Sequence, residues 1–472
     1  MSKATQPGGK PNTDETRLER DSLGAVNVPR DALYGAQTER ARRNFGVAGG
    51  PMPAAFIKAL AKIKSEAAGV NASLGRLTGA RALAIRDAAE AIVAGEHADQ
   101  FPVDVYQTGS GTSSNMNMNE VLANLAARAL GETVHPNDDV NLGQSSNDVI
   151  PSALRLAAAR QTTDRLLPAL AGADETLVRR GRELADVVKT GRTHWMDAMP
   201  LTLGQELSGW RALLADVHRR LSGELPRLCA LPIGGTAVGT GVNGHPDFGP
   251  RVATALAQRM RLPVTALDVP AEGMAGQQAP LMMSALLRTL AIALRKIAND
   301  IRMMASGPTS GLGEISLEAL QPGSSIMPGK VNPVVCEAVL MASARIEGND
   351  HTVALAAADA PFQLNMMLPL LAHTLLESID LAAWAVELLN QRVFASFEPL
   401  EERLAEGLAR NPILATALVP LLGYDASARI VKRAMAEGRP LREIALEETD
   451  LDAATLERAL DPLRLTRLAR SE

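Results

Sequence analysis

Residues 281–305 read LMMSALLRTLAIALRKIANDIRMMA. Within them Leu286, Leu290, Leu294, Ile297, Ile301 and Met304 follow at three- and four-residue steps, the spacing that gathers side chains on one face of an α-helix. The stretch is apolar enough to raise the question of a membrane span. Arg288, Arg295, Lys296, Asp300 and Arg302 interrupt it, however, and charges at mid-bilayer are costly, so a core helix and no membrane partner are expected. Similar periodicity runs through residues 152–182, 203–221, 332–356 and 364–394, each longer than the mean helix of about 11 residues. Five long helices predict a bundle. Apolar residues on several of their faces predict association of subunits through it, as a homo-oligomer.

The rest of the composition agrees. Aromatic residues are only 3% of a chain that is 46% hydrophobic, and Ala, Leu, Met and Arg recur, which is the vocabulary of packed helices rather than sheets. The predicted fold class is all-α in the main. A length of 472 residues exceeds one ordinary core. The expected division is a disordered tail at 1–16, an N-terminal domain at 17–144, a central helical-bundle domain at 145–400, and a small C-terminal helical domain at 401–472, where predicted helices shorten and charge density rises. With a net charge of −5 and no basic run beside aromatics, nucleic acid is not an expected partner. Cys229 and Cys336 are the only cysteines and make no disulfide framework, which fits a reducing compartment. The polar N-terminal tail has neither the apolar core of a signal peptide nor the arginines of a transit peptide, so the cytoplasm is expected.

Between the helices lie loops dense in Gly, Ser, Asn and Pro, at 107–119, 135–148, 234–246 and 321–333. A structural link between helices needs only a few residues, so loops this long point to function. GSSIMPGKVNP at 323–333 places two hydroxyls and a lysine just before a helix. Backbone N–H groups at a helix start, the charge of Lys330 and the amide of Asn332 together suit a carboxylate; a Gly/Pro surface turn is the plain alternative.

This string resembles the signature of the fumarase/aspartase superfamily. Four further segments are similar to class II fumarases in the same chain order: GSGTSSNMNMNE at 109–120, HPNDDVN at 135–141, QSSNDV at 144–149 and GRTHWMDAMPLTLGQE at 191–206. The likeness extends to residues 16–29, 33–41, 234–243 and 411–425 and covers nearly the whole chain beyond the tail. It implies a cofactor-free and metal-free hydro-lyase that interconverts fumarate and (S)-malate. It also implies a homotetramer in which motifs from three chains build each active site. Removing a proton beside a carboxylate creates a dianionic aci-carboxylate whose charge must be stabilised. The resemblance makes Ser324 the base, with Lys330 and Asn332 binding the carboxylate that becomes the aci-carboxylate. A neutral serine is a poor base, so it needs positive charge and N–H donors nearby.

His194, next to Thr193, is implied as the partner of Glu337, the pair positioning a water; a histidine beside a carboxylate suits proton exchange near neutral pH. Ser110, Thr112, Ser145, Ser146, Asn147 and Thr193 match positions that bind the substrate, and such short polar residues also make helix caps. His135, Asn137 and Asp138 match a second dicarboxylate site. There Glu132 replaces a basic residue of some relatives, and Leu142 stands where some fumarases have lysine; a turn capping the next helix is the other reading. Aspartate ammonia-lyase is the alternative activity, though Ser146 stands where aspartases tend to carry threonine. A catalytically silent structural relative is the other alternative, and the retained Ser324, Lys330, His194 and Glu337 count against it. GTGVNG at 239–244 fits the dinucleotide pattern G-x-G-x-x-G, but no β-branched strand precedes it and His245-Pro246 follows, so a tight turn is expected.

Overall fold

The computed structural model describes residues 15–467, and these are mainly helical. Residues 1–14 of the expected tail lie outside the described part, while Thr16 already pairs with Pro29 in an antiparallel hairpin of β1 (Thr16–Asp21) and β2 (Gly24–Pro29). The helices that follow are α1 (Ala36–Phe45), α2 (Ala54–Ser73), α3 (Gly79–Ala94), α4 (Thr112–Leu130), α5 (Ser146–Gln161) and α6 (Leu167–Glu183). A second hairpin, β3 (Val188–Thr193) and β4 (Met196–Thr202), leads into α7 (Leu203–Leu228). Then come α8 (Phe248–Met260), α9 (Pro270–Ala275), α10 (Gln278–Met304), α11 (Val334–Ala358), α12 (Leu368–Leu389) and a C-terminal run of short helices from α13 (Glu401–Arg410) to α18 (Pro462–Leu465). Among the described residues no helix is long and apolar enough to cross a membrane.

The chain forms two compact units. The first takes residues up to Leu166, Arg220–Arg288 and Arg345–Leu381; the second takes Leu167–Arg219, Thr289–Ala344 and the residues from Ala382 onward. The long helices α7, α10, α11 and α12 contribute residues to both.

In the first unit α2 packs on α3, α5 and α8. Its buried face, Phe56, Leu60, Ile63 and Ala67, steps by three and four. The helix α5 is buried on nearly all sides, with Val149, Ile150, Ala153, Leu154, Leu156 and Ala157 in the core. In the second unit Trp210 of α7 is buried, lies 6.3 Å from Phe394 and donates through Nε1 to Asp300 of α10 at 3.1 Å. The C-terminal helices hold their own cluster of Leu414, Leu418, Ile430, Ile444 and Leu456. Arg433 and Arg439 on the surface reach Glu437 and Glu447 between them, tying two of these helices together.

The long helices lie where periodicity puts them, with three corrections. The stretch predicted at 152–182 begins earlier, at Ser146, and a π-helical turn at Thr162–Leu166 separates α5 from α6. The buried stripe of α10 runs through Met283, Leu287, Leu290, Leu294, Ile297, Ile301 and Met304, so Leu287, not Leu286, takes the core position. The last predicted helix starts at Leu368 and passes into a π-helical turn at Asn390–Phe394.

Candidate active site

In the first unit the hydroxyls named by the sequence meet. Ser110 Oγ lies 2.8 Å from Thr112 Oγ1, which lies 2.8 Å from Ser146 Oγ. Thr112 opens α4 and Ser146 opens α5, so contact between them brings two helix N-termini together. At α4 the N–H groups of Ser113 and Ser114 are taken by Thr108 Oγ1 and Gln107 Oε1, so what the paired ends offer a carboxylate is their partial positive charge and the three hydroxyls. Glycine makes the approach possible: Gly111 at the N-cap of α4 has φ +72°, and a Cβ there would lie 2.8 Å from Ile150 Cγ2 of α5. Ser145 caps α5, its Oγ accepting from Asn147 N–H at 3.2 Å, while its own N–H donates to Asp148 Oδ1 at 2.9 Å. Capping and substrate binding therefore fall on one segment. Asn147 Nδ2 donates to Ala237 O at 2.8 Å and ties the cap to the glycine loop.

Two titratable groups beneath this cap were missed by the sequence reading. Asp148 is fully buried; its Oδ2 also accepts from Gly234 N–H at 3.0 Å and Thr236 N–H at 2.9 Å. Burial pushes its carboxyl up to about 6, against the pull of those N–H groups and of Lys64. Lys64 of α2, also fully buried, donates to Asn141 Oδ1 at 2.8 Å, and burial pushes its ammonium down to about 7, opposed by Asp148. A lysine in the apolar phase of α2, four residues after Leu60, is the signal that could have found it. The glycine pattern at 239–244 makes turns at Gly239 (φ +93°) and Gly241 (φ +71°) and no strand-to-helix phosphate loop.

The second unit carries the signature loop. Ser324 is half-buried, and its Oγ accepts from the backbone N–H groups of Ile326 and Met327, each at 3.2 Å. The neck is closed by Gly323 N–H to Lys330 O at 2.7 Å and by Asn332 Nδ2 to Gly323 O at 2.9 Å. The loop ends at α11, whose first turn bears Glu337. Lys330, Asn332 and Glu337 line a cleft of about 870 Å³ together with Trp195, Arg302 and Ile315. His194 and Trp195 are the two turn residues between paired Thr193 and Met196, with φ of +54° and +66°. Two positive φ values define the tight hairpin turn that Asn-Gly usually fills. Bulky side chains there are strained, and such strain persists only where the surroundings enforce it. Thr193 and His194 are exposed. Among the described residues no hydrogen bond or ion pair joins His194 to Glu337.

At His135 the capping geometry is present. Its Nδ1 accepts from the N–H groups of Asn137 at 3.3 Å and Asp138 at 3.0 Å, heading the π-helical turn Pro136–Val140. The cation beside it is Arg81 of α3, paired with Glu132 and Asp139 at 3.0 Å each. Among the described residues no three of His, Cys, Asp and Glu stand close enough to share a metal ion.

The family model described as Lyase matches residues 24–348, and the one described as Fumarase C C-terminus matches residues 414–467. The class II fumarate hydratase of Xylella fastidiosa is 51% identical over 455 residues, which cover 96% of each chain. The chain belongs to the class II fumarate hydratase family. "Fumarate hydratase class II 2" of Pseudomonas aeruginosa is likewise 51% identical, over 96% of this chain and 99% of the other. The class II fumarase of Schistosoma mansoni superposes with a TM-score of 0.93 at 37% identity, over 96% and 99% of the two chains. Membership makes this chain a lyase that adds water across a carbon–carbon double bond, with a dicarboxylate as substrate.

Proposed function

We propose that Ser324 is the base by which this fumarate hydratase interconverts (S)-malate and fumarate. In the dehydration direction Ser324 Oγ takes the C3 proton. The C–H electron pair moves into the adjacent carboxylate to give the aci-carboxylate dianion; the C2 hydroxyl then leaves as water on a proton drawn from solvent, and Ser324 returns the C3 proton to solvent. Lys330 and Asn332 hold the carboxylate on which charge develops. The helix N-termini at Thr112 and Ser146, with Ser110, Ser145 and Asn147, take the remaining carboxylate and hydroxyl. His194, beside Thr193, and Glu337 position the water.

The observation that carries this reading is the pair of N–H groups on Ser324 Oγ. Donors aimed at an oxygen stabilise its ionised form, and Lys330 in the same loop adds positive charge. Within one chain His194 and Glu337 do not pair, and Met341, Leu355, Ile292 and Trp384 on the long helices stay exposed. Both features fit a homotetramer whose active sites are shared between subunits. A cytoplasmic enzyme divided at about residues 144 and 400 goes with that reading. His135, Asn137 and Asp138 are the weaker candidate for a second dicarboxylate site, because Arg81 beside them is already paired.

Ser324→Ala tests the assignment. Loss of a positioned base should lower kcat by at least ~10²-fold and leave KM for malate within a few-fold. A near-normal kcat with raised KM would make Ser324 a binding residue only.

A further inference from the structure

The second unit buries a set of charges that this reaction does not use. Lys189 and Arg192 lie on β3, Glu206 in the first turn of α7, and Glu314 just before the two-residue strand Ile315–Ser316. Lys189 is 4% exposed and Glu314 5%. Arg192 Nη1 stands 2.7 Å from Glu314 Oε1. Lys189 Nζ stands 3.5 Å from Glu314 Oε2 and 3.3 Å from Glu206 Oε2, and Lys296 of α10 approaches the other oxygen of Glu206 at 4.0 Å. Glu314 Oε2 has no hydrogen bond, so the contact with Lys189 is what offsets its burial.

The cluster joins two pieces of the proposed machinery. Arg192 lies two residues before His194, on the strand that ends in the strained His194-Trp195 turn. Glu314 stands at the root of the segment leading to the Ser324 loop. Its backbone is fixed on both sides, the N–H donating to Met304 O at 2.8 Å and the C=O accepting from Leu400 N–H at 2.9 Å. Gly313, Ile315 and Ser316, next to it, line the cleft that Trp195, Lys330, Asn332 and Glu337 also line. A surface ion pair would hold little, but losing Glu314 leaves Lys189 to Glu206 alone and Arg192 to Asp197 at 3.8 Å, so nothing in the set then ties β3 to the root of the loop.

We propose that Glu314 is a positioning residue: through Arg192 and Lys189 it clamps the strand carrying His194 to the root of the loop carrying Ser324. The proposal rests on the assignment of His194 and Ser324 to the hydration reaction. With the clamp released, only the β3–β4 ladder holds the two positive φ values of the turn, and His194 leaves the place where it positions water. Misplacing a reacting group by about 1 Å costs on the order of 10²-fold in rate without a matching loss of binding.

The test uses the full-length enzyme, Glu314→Gln, Arg192→Lys and the double variant. Glu314→Gln should lower kcat by roughly 10- to 100-fold and leave KM for malate within a few-fold. The losses from the two single variants should not multiply in the double, since both break one contact. Amide exchange at residues 191–197 and 321–333 should quicken in both single variants. Should Glu314→Gln fail to assemble, Arg192→Lys, which keeps the charge and loses the reach of Nη1 to Glu314 Oε1, must show the same kcat loss and faster exchange. A wild-type kcat in an assembled Glu314→Gln enzyme, or losses that multiply, would overturn the clamp. A wild-type protein inert toward malate would overturn the functional reading instead. Amide exchange then decides the clamp by itself, and unchanged exchange in Glu314→Gln rejects it.

Discussion

Replacing Gly323 by alanine tests whether the neck of the signature loop sets the place of Lys330 and Asn332. The nearest atoms to a Cβ there would be Lys330 O at 2.6 Å, Lys330 C at 2.9 Å and Asn332 N at 3.0 Å. To restore ordinary contact the Lys330 backbone has to retreat by about 0.8 Å. That shift strains the Gly323 N–H to Lys330 O bond and the Asn332 to Gly323 bond, each worth about 0.5–1.5 kcal/mol. The neighbouring Ile326 and Met327 are exposed, so little core packing is at stake. Gly323→Ala should therefore leave the thermal midpoint within a few degrees while kcat/KM for malate falls by about 10²-fold, the usual cost of a displacement of this size. Steady-state kinetics and a thermal melt on one preparation measure both. A folded variant with wild-type kcat/KM would refute the reasoning, because the neck would then not position the carboxylate-binding groups.

Two further outcomes concern the buried acid and the assembly. Asp148 has a folded-state carboxyl raised from 3.8 to about 6, so the stability it contributes is full below the unfolded value and is lost as pH rises through 6. The difference in unfolding free energy between wild type and Asp148→Asn should therefore shrink by roughly 1 kcal/mol from pH 5 to pH 7, measured by urea unfolding at matched protein concentration; a difference independent of pH would contradict the raised carboxyl. If subunits share active sites, dilution to monomers should abolish activity, and light scattering that finds an active monomer at assay concentration would end that idea.

The helices were legible because burial imposes a period on them, and the α10 stripe from Leu290 to Met304 appears in the sequence at its true spacing. Leu286 and Leu287 are adjacent and equally apolar, so periodicity alone could not choose the core member. The cap at Ser145 with Asp148 follows a known pattern, but Pro151 hid the start of α5, since proline is expected in the first turn and here sits deeper. The hairpin at 188–202 went unread because its turn is His-Trp rather than Asn-Gly, and because three of its buried residues, Lys189, Thr190 and Thr202, are polar. Glu314 and Lys189 were invisible for a related reason. Charged residues are ordinarily surface residues, and only the folded chain shows which have been taken out of water. The roles proposed for Ser324, Lys330 and His194 come from likeness of the motifs to a family rather than from spacing, since His194 stands on an element far along the chain from the loop of the other two.

The most direct measurement is the ultraviolet absorbance of fumarate after adding the pure, chelator-treated protein to malate, with aspartate in a parallel cuvette. Fumarate should appear from malate without added metal or nucleotide, and aspartate should stay unchanged. Activity that returns only with a metal, or ammonia released from aspartate faster than water from malate, would contradict the account.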